Sequence, residues 1–207
     1  MEGTTMVSKA HADAERFEPA SLAEWSAWLE ANHDRPDGVW LVTWKKATGR
    51  QVATYEQAVI EALRVGWVDA VSQRLDEDRS MLWFAPRKAG SGWSRPNKER
   101  IAALEAAGRL LPAGAAAVER AKADGTWSKL DDVEDLVVPD DLAAAFDAHP
   151  GSADQWDAFP RSARRGILEW IVQAKRPETR AKRIAETAEK AARGERANQW
   201  VPKDQRT

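Results

Sequence analysis

The stretch from Trp67 to Asn97 constrains this chain most. Trp67-Val-Asp-Ala-Val-Ser-Gln-Arg-Leu75 and Ser80-Met-Leu-Trp-Phe-Ala85 are rich in β-branched and aromatic residues and flank the polar run Asp76-Glu-Asp-Arg79. That is the spacing of an antiparallel hairpin with a four-residue loop. Alternation along the first strand predicts Trp67, Asp69, Val71 and Gln73 on one face and Val68, Ala70, Ser72 and Arg74 on the other, so Asp69 and Arg74 need not meet. Beyond Pro86-Arg-Lys88, the small residues Ala89-Gly-Ser-Gly92 predict a loop. Trp93-Ser-Arg-Pro-Asn97 then opens a helix, with Ser94 as N-cap and Pro96 in the first turn.

The hairpin is embedded in an α+β pattern. Ser21-Leu-Ala-Glu24 is a capping box, followed by Trp25, Trp28 and Leu29 on one helical face, and His33 falls where that helix ends. The turn Arg35-Pro-Asp-Gly38 introduces the strand Val39-Trp-Leu-Val-Thr-Trp44. Thr54-Tyr-Glu-Gln57 caps a second helix that Gly66 stops, and Pro112 to Ala123 predicts an alanine-rich one. From Pro139 onward the pattern is wholly helical: Asp140 or Asp141, Ser152 and Ser162 are the predicted helix starts, and Ile167, Trp170, Ile171 and Ala174 the inward face of the third. The fold class is therefore α+β: a small antiparallel sheet of about three strands packed with helices, followed by an all-helical C-terminal module. The expected organisation is a disordered lead-in over 1–16, an α+β domain over 17–130, a helical module over 138–196 and a tail over 197–207, with Asp131 to Asp135 as linker.

Composition narrows the chemistry. The 207 residues contain no cysteine, which excludes disulfides, thiolate nucleophiles and Cys-ligated zinc. His11, His33 and His149 are far apart in sequence, so no metal site is expected. No cofactor is expected either. There is no Gly-x-Ser-x-Gly elbow, phosphate-cradling loop or dinucleotide fingerprint, so no known catalytic motif marks the chain as an enzyme. No apolar run approaches a membrane span and the first residues lack a signal-peptide core, which makes the cytoplasm the expected compartment. Eleven tryptophans stand against four phenylalanines and one tyrosine; an indole N–H needs a partner when buried, so Trp-rich chains tend to keep some rings at grooves.

The polar groups that converge in the central stretch are Asp69, Arg74, Arg87, Ser94, Arg95 and Asn97. Helix N-termini attract anions, and a guanidinium forks onto carboxylates or phosphates. With Trp67, Trp83 and Trp93 as flat walls, Trp67, Asp69, Trp83, Arg87, Trp93, Ser94 and Asn97 form the candidate ligand-binding set. The competing reading has Ser94 as a cap, Arg87 paired with Glu61 or Asp69, and the tryptophans as core. An enzyme using Asp69 or Glu61 with Arg87 in the same groove is a further alternative.

Several strings together resemble the YdeI/OmpD-associated family of bacterial proteins, also labelled bacteriocin-protection proteins. They are Val39-Trp-Leu41 with Lys45-Lys46, Glu61 to Asp69, Phe84-Ala-Pro-Arg87, Trp93-Ser94 with Asn97, Asp124-Gly-Thr-Trp127, and Ala174-Lys-Arg-Pro-Glu-Thr-Arg180, spanning roughly residues 20–195. The resemblance implies a protection or stress-resistance role and a helical C-terminal module. One departure is Val65, where relatives often carry a bulkier residue.

Net charge is −2, yet residues 161–196 hold eleven Lys/Arg against five Glu. A basic helix from about Glu178 to Arg193 could contact nucleic acid or protein, but its interspersed glutamates and few aromatics fit a solvated face better. The sequence thus points to a cytosolic protection-type protein that binds a small anionic or aromatic compound, or a toxic peptide, in a Trp/Arg-rich groove.

Overall fold

Pattern and turn chemistry produce a four-stranded sheet in the N-terminal part of the chain. The computed structural model describes residues 13–199, and the chain divides after Trp127 into two units. The first runs β1 (Arg16–Phe17), α1 (Leu22–Asn32), β2 (Val39–Trp44), α2 (Tyr55–Arg64), β3 (Trp67–Arg74), β4 (Arg79–Pro86), α3 (Arg95–Ala106) and α4 (Pro112–Ala123). Sheet order is β1-β2-β4-β3. The hairpin β3–β4 and the pair β2–β4 are antiparallel, as expected. The addition is β1, which pairs parallel to β2 through Arg16↔Trp40 and Phe17↔Leu41. Two residues carry no periodicity, which is why Arg16 falls within the expected lead-in over 1–16; residues 1–12 of that segment lie outside the described residues.

Local signals hold at the starts of α1 and α2. The Ser21 hydroxyl accepts from the Glu24 amide at 3.1 Å, while the Glu24 carboxylate accepts from the Ala20 amide. Thr54 and Gln57 complete a reciprocal capping box. Gly66 adopts φ +81°, and a Cβ there would lie 3.1 Å from both the Ala113 carbonyl and the Ala117 methyl. The turn from α2 into β3 therefore requires glycine for both conformation and space.

Each face of the sheet has its own apolar cluster. Val39, Leu41, Phe84 and Trp67 face α1 to α4, packing against Trp25, Leu29, Leu63 and Trp93. Trp40, Val42, Met81 and Trp83 form the opposite cluster with Val71 and Ala85. Burial on both faces explains why β2 opens with four successive apolar residues, Val39 to Val42.

β3 contains a bulge that the alternation argument did not anticipate. Asp69 pairs with Phe84 but Ser72 pairs with Leu82, so three steps on β3 match two on β4. The extra residue inverts the phase. Ser72 and Arg74 join Asp69 on the helix-facing side, and Val71 moves to the Trp40–Trp83 cluster. Arg74 still does not meet Asp69, because its Nε donates to the Asp76 carbonyl at 3.0 Å.

The second unit is helical: α5 (Asp131–Glu134), α6 (Asp140–Asp147), α7 (Ser152–Ala158), α8 (Arg161–Val172) and α9 (Pro177–Ala191). Leu142, Trp156, Ile167, Ile171 and Ala188 lie in its core. The segment expected as a linker is α5, with Glu134 buried and bound by Arg165 at 2.8 and 3.1 Å. Ser152 is a first-turn residue rather than a cap, its hydroxyl donating to the Phe146 carbonyl. α8 starts at Arg161 after Pro160 and buries Ile167, Leu168 and Ile171; Trp170 and Ala174 are only half-buried. Ala197, expected in the tail region, is buried in this core.

Candidate functional site

The residues expected to form one groove are dispersed over the fold, and only Arg87 and Trp93 meet. Trp67 is wholly buried, its indole donating to the His33 carbonyl at 3.0 Å and its ring edge-on to Trp28. Trp83 lies on the opposite face, paired in register with Trp40 and stacked edge-on against it at 5.2 Å. Neither is a wall of the groove. The reason is alternation: Trp83 precedes the helix-facing Phe84, so it must point the other way.

Arg87 and Trp93 do come together. The Arg87 guanidinium lies 3.8 Å from the Trp93 ring centroid, and its Nη1 donates to the Gly92 carbonyl at 3.0 Å. That occupies the ring face where a planar ligand was expected to stack. Arg87 Nε and Trp93 Nε1 are both buried without a hydrogen-bond acceptor. Burial pushes the Arg87 guanidinium down to about 10, against the opposing field of Asp69. No carboxylate among the described residues forms an ion pair with it. Arg64, Arg100 and Arg165 each have a glutamate partner.

Beside this pair is a cavity of about 290 Å³ lined by Arg87, Trp93, Lys88, Arg120 and Asp124, with Ala117 and Ala121 among its apolar lining. Trp127 packs 5.1 Å from Trp93, with the Lys98 and Lys122 ammonium groups over its ring. The sequence reading missed Lys88, Arg120 and Trp127. Their only local signal is the alanine spacing of α4, which leaves room beside a Trp-containing turn.

Asp69, Ser94 and Asn97 lie elsewhere. Ser94 occupies the N-cap position of α3, but its side chain makes no capping bond. Asn97 is buried and accepts from Arg100 at 2.7 Å, while Arg100 also binds Glu56. Asp69 accepts from the Tyr55 hydroxyl at 2.7 Å. Burial, this hydrogen bond and the Asp69 charge push the phenol up to about 12, with Arg100 pulling the other way. Arg100 holds Glu56 below the usual carboxylate range.

Glu61 takes no part in either arrangement. It accepts from Ser26, Arg64 and Arg109. Burial raises its carboxyl, but these hydrogen bonds and the two arginine charges outweigh that and hold it low. A carboxylate so bound is a poor proton acceptor, and no Glu61–Arg87 pair exists to act on a substrate. Among the described residues no group of three or more His, Asp or Glu could hold a metal ion, and no helix is long and apolar enough to cross a membrane.

The basic helix is largely engaged within its own unit. Arg180 forks onto Asp141 at 2.7 and 2.8 Å, Lys190 pairs with Glu186, and Arg183 lies over the Trp170 ring and donates to its carbonyl. Lys175, Arg176 and Lys182 remain exposed.

Two family models match the chain. Residues 17–117 match a domain of unknown function, DUF8412. Residues 135–194 match the family described as bacteriocin-protection, YdeI or OmpD-associated. No curated protein and no solved structure matches. Of the six strings that carried the resemblance, only Ala174 to Arg180 falls within 135–194; the likeness therefore rests on the C-terminal part rather than on residues 20–195. The chain carries, at residues 135–194, the domain of the bacteriocin-protection, YdeI or OmpD-associated family, behind an N-terminal domain of unknown function.

Proposed function

We propose that this is a cytosolic protection-type protein that sequesters a small anionic compound, or the acidic group of a peptide, at the Arg87–Trp93 cavity. The observation that carries this reading is a desolvated guanidinium with no carboxylate partner on the wall of a cavity. A buried charge without an opposite charge beside it is costly, and such groups cluster where a ligand supplies the missing partner. Lys88 and Arg120 against the single acid Asp124 give the lining a positive balance. An oxyanion would accept from Arg87 Nε and Trp93 Nε1 together. Both donors are sealed from solvent, so an anion reaches them only if the cavity rim yields. The family match at 135–194 supports the protective role, and a cysteine-free chain suits a reducing compartment.

Tryptophan emission titrated with benzoate and with inorganic phosphate tests the proposal. Binding of either should perturb the emission, and Arg87→Met should weaken it by about 1.5–3 kcal/mol, the worth of a charged hydrogen bond. No response to either anion, or equal affinity in the variant, refutes it.

A further inference from the structure

The bulge in β3 has assembled a second polar surface, separate from the Arg87 cavity. α1 and α2 cover one half of the sheet face; on the other half this face bears Thr43 of β2, Ser80 of β4, and Asp69 and Ser72 of β3. These residues line a cavity of about 360 Å³ closed on one side by Gln51 and Tyr55. Without the bulge, Ser72 would point to the opposite face. Bulges recur beside binding sites because they re-aim a single side chain.

We infer that this groove is a binding site for a small ligand carrying a protonated amine beside hydroxyl groups, the chemistry of an amino sugar. The lining contains one carboxylate and no cation, while hydroxyls and an amide supply the rest of its polar surface. Asp69 has no ion-pair partner among the described residues; its Oδ2 is fixed by Tyr55, and no described side chain donates to Oδ1. Arg87 and Arg100 act on Asp69 through their charge alone, neither within ion-pair distance, so Oδ1 is left for an ammonium to bind. The Tyr55 side chain is half exposed, offering a ring on which an apolar sugar face can rest. Ser72 and Ser80 are placed for hydroxyl exchange across the groove, and Thr43 lies 3.4 Å from Ser80. This inference does not depend on the Arg87 cavity.

Tyr55 is the only tyrosine in the chain, so biosynthetic 3-fluorotyrosine places a single ¹⁹F reporter at the groove. Glucosamine should shift that resonance saturably, glucose should act at least about tenfold more weakly, and inorganic phosphate should leave it unmoved. Asp69→Asn should abolish the preference for the amine, and Ser72→Val should weaken glucosamine about tenfold while the ¹⁹F line of the free protein stays distinct from that of the urea-unfolded chain. An unmoved resonance with glucosamine, equal response to glucose, or an unchanged preference in Asp69→Asn overturns the inference. Because the reporter and both variants lie outside the Arg87 cavity, failure here leaves the benzoate and phosphate titration standing, and the reverse.

Discussion

Replacing Arg87 by methionine should leave stability almost unchanged, unlike removal of a paired arginine. Lowering the folded guanidinium to about 10 means the charged form is disfavoured by folding at every pH below that value. At about 1.36 kcal/mol per pKa unit, the cost is roughly 3 kcal/mol at neutral pH. The charge is tolerated because two contacts offset it. Stacking on Trp93 contributes up to about 2 kcal/mol, and the hydrogen bond to Gly92 about 1.5 kcal/mol. Methionine removes cost and contacts together, so Arg87→Met should change the unfolding free energy by no more than about 1 kcal/mol. Arg165→Met in the second unit is the contrast: it removes the guanidinium that forks onto the buried Glu134 carboxylate, with a loss of about 3 kcal/mol. Urea unfolding of each variant, followed by fluorescence and near-UV dichroism with the slope checked against the wild type, measures both. A loss above about 3 kcal/mol for Arg87→Met would make Arg87 a structural residue and remove the physical ground for an anion site.

Two further perturbations follow from the network and the turn. Glu61→Gln should destabilise by about 3 kcal/mol by leaving Arg64 and Arg109 without their shared carboxylate. Because the folded Glu61 carboxyl is held below its ordinary value, its stabilisation is complete above the usual carboxylate range and fades as pH falls through the lowered folded value. Acid unfolding should therefore be shallower in the variant. Gly66→Ala should lower stability by at least about 1–2 kcal/mol, because L residues resist positive φ and the new methyl meets the Ala113 carbonyl; an unchanged melting temperature would contradict this.

The sequence by itself determined the elements whose cause is local. β2 has the bounds its β-branched run predicts, the hairpin forms around Asp76–Arg79, and Thr54 with Gln57 closes a capping box. Each depends on residues within one turn or one strand of each other. Tertiary structure decided what depends on register and on packing between distant segments. A single inserted residue between Asp69 and Ser72 reassigns the faces of β3, and periodicity cannot announce a phase shift. Arg87 meets Trp93 across a short loop and covers the ring face where the sequence reading expected a ligand to stack. The cavity beside them needed Arg120 and Ala121 from α4, and Trp127 to back Trp93. Whether Arg87 would meet a carboxylate was equally a question of three-dimensional placement. Glu61, one of its two expected partners, is bound instead by Arg64 and Arg109, and Arg109 lies 48 residues away in sequence.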